Sequence, residues 1–188
     1  MKDDEIKWNK RFALGTYPTD PNDMVQAYCH LAKKGKALDI AAGNGRNSIY
    51  LAEQGFSVEA VDISGEGLNI IKSTRSDIVL IKKDLDIYQI RKNRYDLIVN
   101  INFLQRRLIP YIKTGLKRGG VLIFQTFMDP KLTGGTCDKM KKDYYLTPNE
   151  LLHSFLSLHV IYYEEKEVVF SNGEKLKAAT LVGKKELF

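Results

Sequence analysis

The chain has 188 residues, is 44% hydrophobic and 28% charged, and carries a formal net charge of +6. That length suits one domain with a sizeable core, and no apolar run nears the roughly 20 residues of a membrane span. The opening "MKDDEIKWNK" lacks the apolar stretch of a signal peptide, so a cytoplasmic protein is expected. In chain order, "DEIKWNKRF" suits a short helix, and "GTYPTDP" suits a turn. Asp20-Pro21-Asn22-Asp23 looks like a helix start, with an acid at the cap and proline in the first turn. A strand is expected over 37–41, a helix over 46–54 closed by Gly55, and a strand over 57–61. Ser64 can cap a helix carrying Leu68 and Ile71. Strands follow over 78–81 and 96–100, then a helix over 106–116. Gly119-Gly120 should turn the chain into a strand over 121–126.

Apolar strands alternating with helices point to an α/β fold, with a mostly parallel sheet covered on both faces. The tail breaks the alternation. Residues 128–146 have no clear period, and loops of that length are usually functional. Thr147-Pro148-Asn149-Glu150 has the form of a capping box opening a helix that runs to about Ser157. Two strand-like runs then flank Asn172-Gly173, a strong hairpin signal. One domain is therefore expected in four parts: an N-terminal helical segment or lid (1–35), a βα core (36–127), a substrate-side loop (128–146), and a last helix with a hairpin (147–188).

Cys29 and Cys137 lie far apart, and His30, His153 and His159 are scattered, so neither a disulfide framework nor a metal site is expected. The basic residues come in short runs, such as Lys33, Lys34 and Lys36, or Arg91, Lys92 and Arg94. Solvated surface is the expectation unless the runs converge on one face.

The informative stretch is "ALDIAAGNGRNSIYLAEQGFSVEAVDIS", from Ala37 to Ser64. A dinucleotide site asks for G-x-G-x-x-G; Gly43 and Gly45 fit, but Ser48 stands third. Asp39 lies just before the turn, where a carboxylate repels a pyrophosphate and attracts an ammonium. Asp62 ends the second strand and suits ribose hydroxyls. Asp84 follows the third strand; it could take an exocyclic amine of a base, with Leu85 offering a backbone N–H. Three acids at successive strand ends ask for a ligand with an ammonium, a ribose and an adenine but no phosphate. S-adenosylmethionine fits that description and NAD does not.

These residues resemble motif I of the class I S-adenosylmethionine-dependent methyltransferases, with Ala41 standing where D-x-G-x-G-x-G has its first glycine. The branch most similar is the small bacterial tellurite-resistance type; "NFLQRRLIPYIKTGLKRGGVLIFQTF", "YLTPNELLHSF" and "NGEKLKAATLVGKK" resemble its later elements. The resemblance implies a Rossmann-like seven-stranded sheet whose last strand is antiparallel and inserted beside the fifth. It also implies cofactor contacts. Asp39, Ala41, Gly43 and Gly45 would cradle the methionine part, and Arg46 and Asn47 would reach its carboxylate. Asp62 and Ile63 would hold ribose and adenine, Asp84 and Leu85 the adenine edge, and Asn100 and Ile101 the methyl side. Tellurite-type members carry a His-Arg pair in the last hairpin region, whereas "KEVVFSNGEK" has neither. The Asn/Asp-Pro-Pro-Tyr/Phe motif of amino-group DNA methylases is replaced by "NINFL", which argues against nucleic acid as methyl acceptor.

On this reading the protein moves a methyl group by in-line displacement to a small-molecule acceptor, a soft or anionic nucleophile such as a thiol or tellurite. Substrate-side candidates are Trp8 and Tyr17, whose rings can close over a sulfonium, together with Asn102 and Arg106. Tyr144 and Tyr145 in the loop are weaker ones. No residue is singled out as a general base. A monomer or weak homodimer is expected. The competing readings are an RNA or protein methyltransferase, a non-catalytic S-adenosylmethionine-binding module, and an NAD-linked oxidoreductase.

Overall fold

The structure is a computed structural model that describes residues 2–15, 17–136, 142–169 and 173–186. Cys137, Lys139, Lys141 and Asn172 of the expected hairpin turn lie outside the described residues.

Seven strands form one sheet. They are β1 (Lys36–Ile40), β2 (Ser57–Asp62), β3 (Val79–Lys82), β4 (Tyr95–Ile101), β5 (Leu116–Phe127), β6 (His159–Val169) and β7 (Lys175–Lys184), in the order β3-β2-β1-β4-β5-β7-β6. Strands β1 to β5 pair in parallel. Strand β7 runs antiparallel between β5 and β6. This is the expected seven-stranded architecture with its reversed strand beside the fifth. The central strands β1 and β4 are buried almost throughout, which is why they read as continuous apolar runs.

The helices are α1 (Lys2–Ala13), α2 (Asp23–Tyr28), α3 (Arg46–Glu53), α4 (Gly65–Thr74), α5 (Ile109–Gly115), α6 (Pro130–Thr133) and α7 (Glu150–Ser154). One core layer joins Leu38, Ile40, Ile98 and Phe124 to Ile112 of α5 and Leu151 of α7. The layer on the other face joins Ala37, Val99 and Ile123 to Val25 of α2, Leu51 of α3 and Ile71 of α4.

Several expected boundaries move for local reasons. The cap of α2 is Asn22, not Asp20; its side-chain oxygen accepts the Met24 N–H at 3.0 Å, and Pro21 precedes the cap. The expected helix over 106–116 is a 3-10 turn (Arg106–Leu108) followed by α5. Gly119-Gly120 lies inside β5: Leu116 already pairs with Tyr95, and the ladder resumes at Val121 after a register shift. Helix α7 is shorter than expected, and half of the capping box forms: the Glu150 carboxylate accepts the Thr147 N–H at 2.9 Å. His159 opens β6, the first of the two strand-like runs. The loop after β5 is tied at both ends, since Met128 and Leu146 bridge and are fully buried.

Candidate functional site

Strands β1, β2 and β4 end at one edge of the sheet, and the residues singled out from sequence gather there. Open α/β sheets bind ligands at this carboxyl edge. Asp39, Asp62 and Asn100 are buried. Asp39 faces α3, where the Ser48 hydroxyl donates to its Oδ2 at 2.6 Å. Serine at the third position of the glycine pattern is thus the partner of the acid before the turn. Burial pushes the Asp39 carboxyl up to about 7; the Ser48 hydrogen bond pulls it down, Asp62 pushes it up again, and Arg46 lowers it. Among the described residues Asp39 forms no ion pair. It is a carboxylate position short of positive charge, suited to a cationic ligand group.

The turn between β1 and α3 needs left-handed backbone at three places. Gly43 and Gly45 have φ of 58° and 80°, and Ala41 has φ of 55°. Ala41 therefore adopts the conformation that the motif's usual glycine takes freely, at a cost of about 1 kcal/mol. A Cβ on Gly43 would come within 2.9 Å of the Phe12 ring, and one on Gly45 within 2.2 Å of Ile71. Side-chain absence at these two positions lets the turn pack on α1 and α4. The close approach assigned to a ligand from sequence is, on those faces, an approach to protein.

Asp62 ties the same turn to its neighbour. Its Oδ2 accepts the Gly43 N–H at 2.8 Å and its Oδ1 the Ser64 N–H at 2.7 Å. Burial raises its pKa, and those N–H groups oppose the shift. Each carboxylate oxygen keeps a second lone pair, so holding the turn leaves acceptor capacity for a ribose. Ile63, next along, is half-buried. In the β3–β4 loop, Asp84 accepts the Asp86 N–H at 2.9 Å, which lowers its pKa. Leu85 is buried, and its carbonyl and that of Tyr88 accept from Arg107 at 3.1 and 2.6 Å. Arg107 thus fixes the backbone of the β3–β4 loop. After β4, the Asn100 amide donates to the Phe103 carbonyl at 2.7 Å. Ile101 is buried, while Asn102 is exposed, has φ of 58°, and donates its N–H to the Gln125 carbonyl at 2.8 Å.

The N-terminal segment crosses this edge as a strap. The Asn44 amide reaches the Pro18 carbonyl at 3.0 Å, and Arg46 reaches the Asp20 carbonyl at 3.2 Å. The Asn22 N–H donates to Asn47 Oδ1 at 2.9 Å, and the Asn22 amide donates to Gln125 Oε1 at 2.7 Å. Gln125 in turn donates to Thr180 at 2.8 Å. Upstream, Asn9 Oδ1 accepts the Ser64 hydroxyl at 2.7 Å and the Glu66 N–H at 3.2 Å, bolting α1 to the start of α4. Trp8, Phe12 and Tyr17 form a three-ring cluster here, with Trp8 and Tyr17 6.2 Å apart. The ring centroids are 5.9 Å apart for Trp8 and Phe12 and 4.8 Å for Phe12 and Tyr17. Phe12 is the buried member.

Sequence reasoning passed over Phe12, Asn22, Arg107 and Gln125. Phe12 shares α1 with Trp8, four residues on, and that spacing was the only signal that could have joined them. Arg106 sits elsewhere. It pairs with Glu150 at 2.6 Å and donates to the carbonyls of Asp143 and Tyr145 at 2.7 and 2.8 Å, clamping the end of the loop onto the cap of α7. Tyr145 is buried against Leu176 and Phe127, whereas Tyr144 is exposed. Among the described residues no three His, Cys, Asp or Glu side chains are grouped to hold a metal ion. No helix there is long and apolar enough to cross a membrane.

This sheet order, with a glycine turn after β1 and acids at the ends of β1 and β2, is the fold of the class I S-adenosylmethionine-dependent methyltransferases. The chain matches the profile of the family described as Tellurite resistance protein TehB over residues 6–169, and it belongs to that family. TehB from Haemophilus influenzae superposes with a TM-score of 0.79 at 23% identity, over 95% of this chain and 67% of that one. The 1,6-didemethyltoxoflavin-N1-methyltransferase of Burkholderia thailandensis, solved with S-adenosylhomocysteine, superposes with a TM-score of 0.70 at 17% identity, over 98% and 86% of the two chains. A S-adenosylmethionine-dependent methyltransferase of Methanosarcina mazei gives 0.68 at 19% identity, over 90% and 100%. YqeM of Bacillus subtilis (strain 168), named as a methyltransferase, is 31% identical over 114 residues. That alignment takes in 54% of this chain and 46% of YqeM, so the chain spans about half the length of that relative.

Proposed function

We propose that the protein is a S-adenosylmethionine-dependent methyltransferase acting on a small, soft nucleophile, a thiolate or an oxyanion such as tellurite. The observation that carries the reading is Asp39, a buried carboxyl beside the glycine turn with a hydroxyl partner and, among the described residues, no ion pair. A pyrophosphate would be repelled there, and an ammonium accommodated. Asp62, Leu85 and Asn100 follow in the order that ribose, adenine and methyl side require. S-adenosylmethionine, when bound, supplies a methyl group already activated on a sulfonium.

Displacement from a sulfonium expels a neutral thioether, so the chain needs no acid for the leaving group. Its tasks are alignment and exclusion of water. Asp39 would hold the cofactor's ammonium and Asp62 its ribose hydroxyls. The strap through Pro18, Asp20 and Asn22 covers the edge, with the Trp8–Phe12–Tyr17 rings beside it. The choice of a soft acceptor rests on the positions of the imidazoles. His30 lies in the turn before β1, His153 near the end of α7 and His159 at the start of β6, all exposed, and among the described residues none hydrogen-bonds through its side chain to Asp39, Asp62 or Asn100. A thiolate or oxyanion is ionised already and needs no base, whereas an amine or hydroxyl would. The family's name, Tellurite resistance protein TehB, supports an oxyanion among these acceptors.

The test is calorimetric titration with S-adenosylmethionine, S-adenosylhomocysteine and NAD, followed by incubation with small thiols or tellurite. Binding of the two sulfur compounds but not NAD, and acceptor-dependent release of S-adenosylhomocysteine, is the expected result. Binding of NAD alone would overturn the reading. Turnover confined to amines or hydroxyls would overturn the acceptor class.

A further inference from the structure

Several of the short basic runs do converge. Strands β1, β4 and β5 begin at the amino end of the sheet, and antiparallel β7 finishes there. This brings together Lys33 and Lys34 before β1, Arg91 and Lys92 before β4, Arg118 early in β5, and Lys184 at the end of β7. Hydrogen bonds fix these segments side by side. The Lys36 N–H and Lys117 Nζ both reach Asp96 Oδ2, at 2.8 and 2.7 Å. The Arg94 N–H meets the Gly115 carbonyl at 2.9 Å, and the Gly119 N–H meets the Lys185 carbonyl at 2.8 Å. Neighbouring strands lie about 4.8 Å apart, so the row from β1 to β7 spans about 14 Å.

The buried acids at this end are already engaged, Asp77 pairs with Arg75, and the exposed Glu53 and Glu186 are outnumbered by the cations of the row. Glu59 and Asp96 are buried; Glu59 pairs with Arg94 and Lys36, and Asp96 with Lys117. Lys33, Arg91, Lys92, Arg118 and Lys184 are exposed and form no ion pair among the described residues. The face is a field of unmatched positive charge at the opposite end from Asp39 and Asp62.

We propose that this face docks the phosphate backbone of double-stranded nucleic acid. Backbone contact asks for cations at phosphate-scale spacing and no base-reading group. The exposed large aromatic side chain, Tyr144, is in the loop at the other end, so the stacking platform that single strands use is missing here among the described residues. Exposed large apolar residues lie mostly on α1, α4 and the carboxyl-edge loops; among the described residues Val79, Leu156 and Ile161 come near this end, as separate side chains on β3, after α7 and on β6. A duplex held here lies away from the carboxyl edge, so it is an anchor for the protein rather than its methyl acceptor. The proposal stands whether or not the carboxyl-edge site is a methyltransferase site.

The experiment is fluorescence anisotropy of the full chain with labelled 20-base-pair RNA and DNA duplexes across 50–300 mM NaCl. Five unpaired cations predict a slope of log K against log salt of roughly −4.5, with micromolar binding at the low-salt end. The combined variant Arg91→Ala, Arg118→Ala, Lys184→Ala should lose about tenfold or more in affinity and reduce the slope by about 2–3. Its thermal midpoint and S-adenosylhomocysteine affinity should match the parent. A charge-matched control, Lys10→Ala, Lys83→Ala, Lys166→Ala, should bind duplex nearly as the parent does. The proposal is overturned by no duplex binding at 50 mM salt, by equal losses in the two triple variants, or by binding to phosphatidylserine-containing vesicles with none to duplex.

Discussion

Strand β2 carries a buried acid near each end, and the two are handled in opposite ways. Toward the amino end, the Glu59 carboxylate meets Arg94 at 2.5 Å, the Tyr95 hydroxyl at 2.7 Å and Lys36 at 3.6 Å. Burial raises its pKa, but those partners outweigh burial and hold it below its ordinary value. At the carboxyl end, Asp62 meets only N–H donors, and its neighbour Asp39 meets a serine hydroxyl; both are raised by burial. The same central sheet buries all three. The difference is that the amino end completes its charges within the chain, while the carboxyl end leaves them for something else to complete. Acids of the first kind hold the fold; acids of the second kind mark the site.

The largest expected effect lies at the amino end. Arg94→Met removes the main partner of Glu59 and should cost about 3 kcal/mol of stability, read as a drop in the urea midpoint at neutral pH. Cofactor affinity should hardly change. Glu59 also sets a pH limit: its folded pKa is depressed, so its stabilisation is present above the unfolded value of about 4.5 and is lost as pH falls through the folded value. In the Arg94→Met protein that acid-side loss should shrink.

Asp39→Asn should behave in reverse. Affinity for S-adenosylhomocysteine should fall about 10- to 100-fold, roughly 1.4–2.8 kcal/mol, measured by calorimetry at pH 8. Stability should not fall with it. The folded pKa of about 7 lies above the unfolded 3.8, so the carboxyl favours the folded state fully only at low pH, and this contribution is lost as pH rises toward and through 7. The asparagine protein should therefore lose less stability than the parent between pH 4 and pH 8. If Asp39→Asn unfolds the chain at pH 8, the two ends are not different in kind.

Much of the carboxyl end was legible because it is local. Asp39, Gly43, Gly45 and Asp62 fall within one βαβ unit, and strand period, turn residues and end-of-strand acids are all short-range signals. The hairpin and the reversed last strand were legible for the same reason. What closes the site was not. Phe12 reaches Gly43, Asn22 reaches Gln125, and Arg107 reaches the carbonyls of Leu85 and Tyr88 across long stretches of chain. Such contacts leave no periodicity in the sequence. Arg106 shows the converse: it was prominent in sequence as an anion candidate, and its guanidinium is taken up by Glu150 and two carbonyls. The basic runs before β1 and β4, early in β5 and at the end of β7 looked scattered because only topology brings them to one end.

A smaller effect sharpens the account of the turn. Ala41 has φ of 55°, a conformation that β-branched residues resist. Ala41→Val should cost about 2 kcal/mol of stability, while Ala41→Gly should stay within about 1 kcal/mol of the parent, both by thermal melt.

The most direct test of the central claim is proton exchange on cofactor binding. S-adenosylhomocysteine would be titrated into the protein near pH 6.5 in two buffers of different ionisation enthalpy, with Asp39→Asn in parallel. An ammonium seated beside Asp39 must draw that carboxyl into its ionised form, so the parent should release a fraction of a proton that the asparagine protein does not. Equal proton release by both proteins, or none from the parent, would mean that Asp39 is not where the cofactor's positive charge is held.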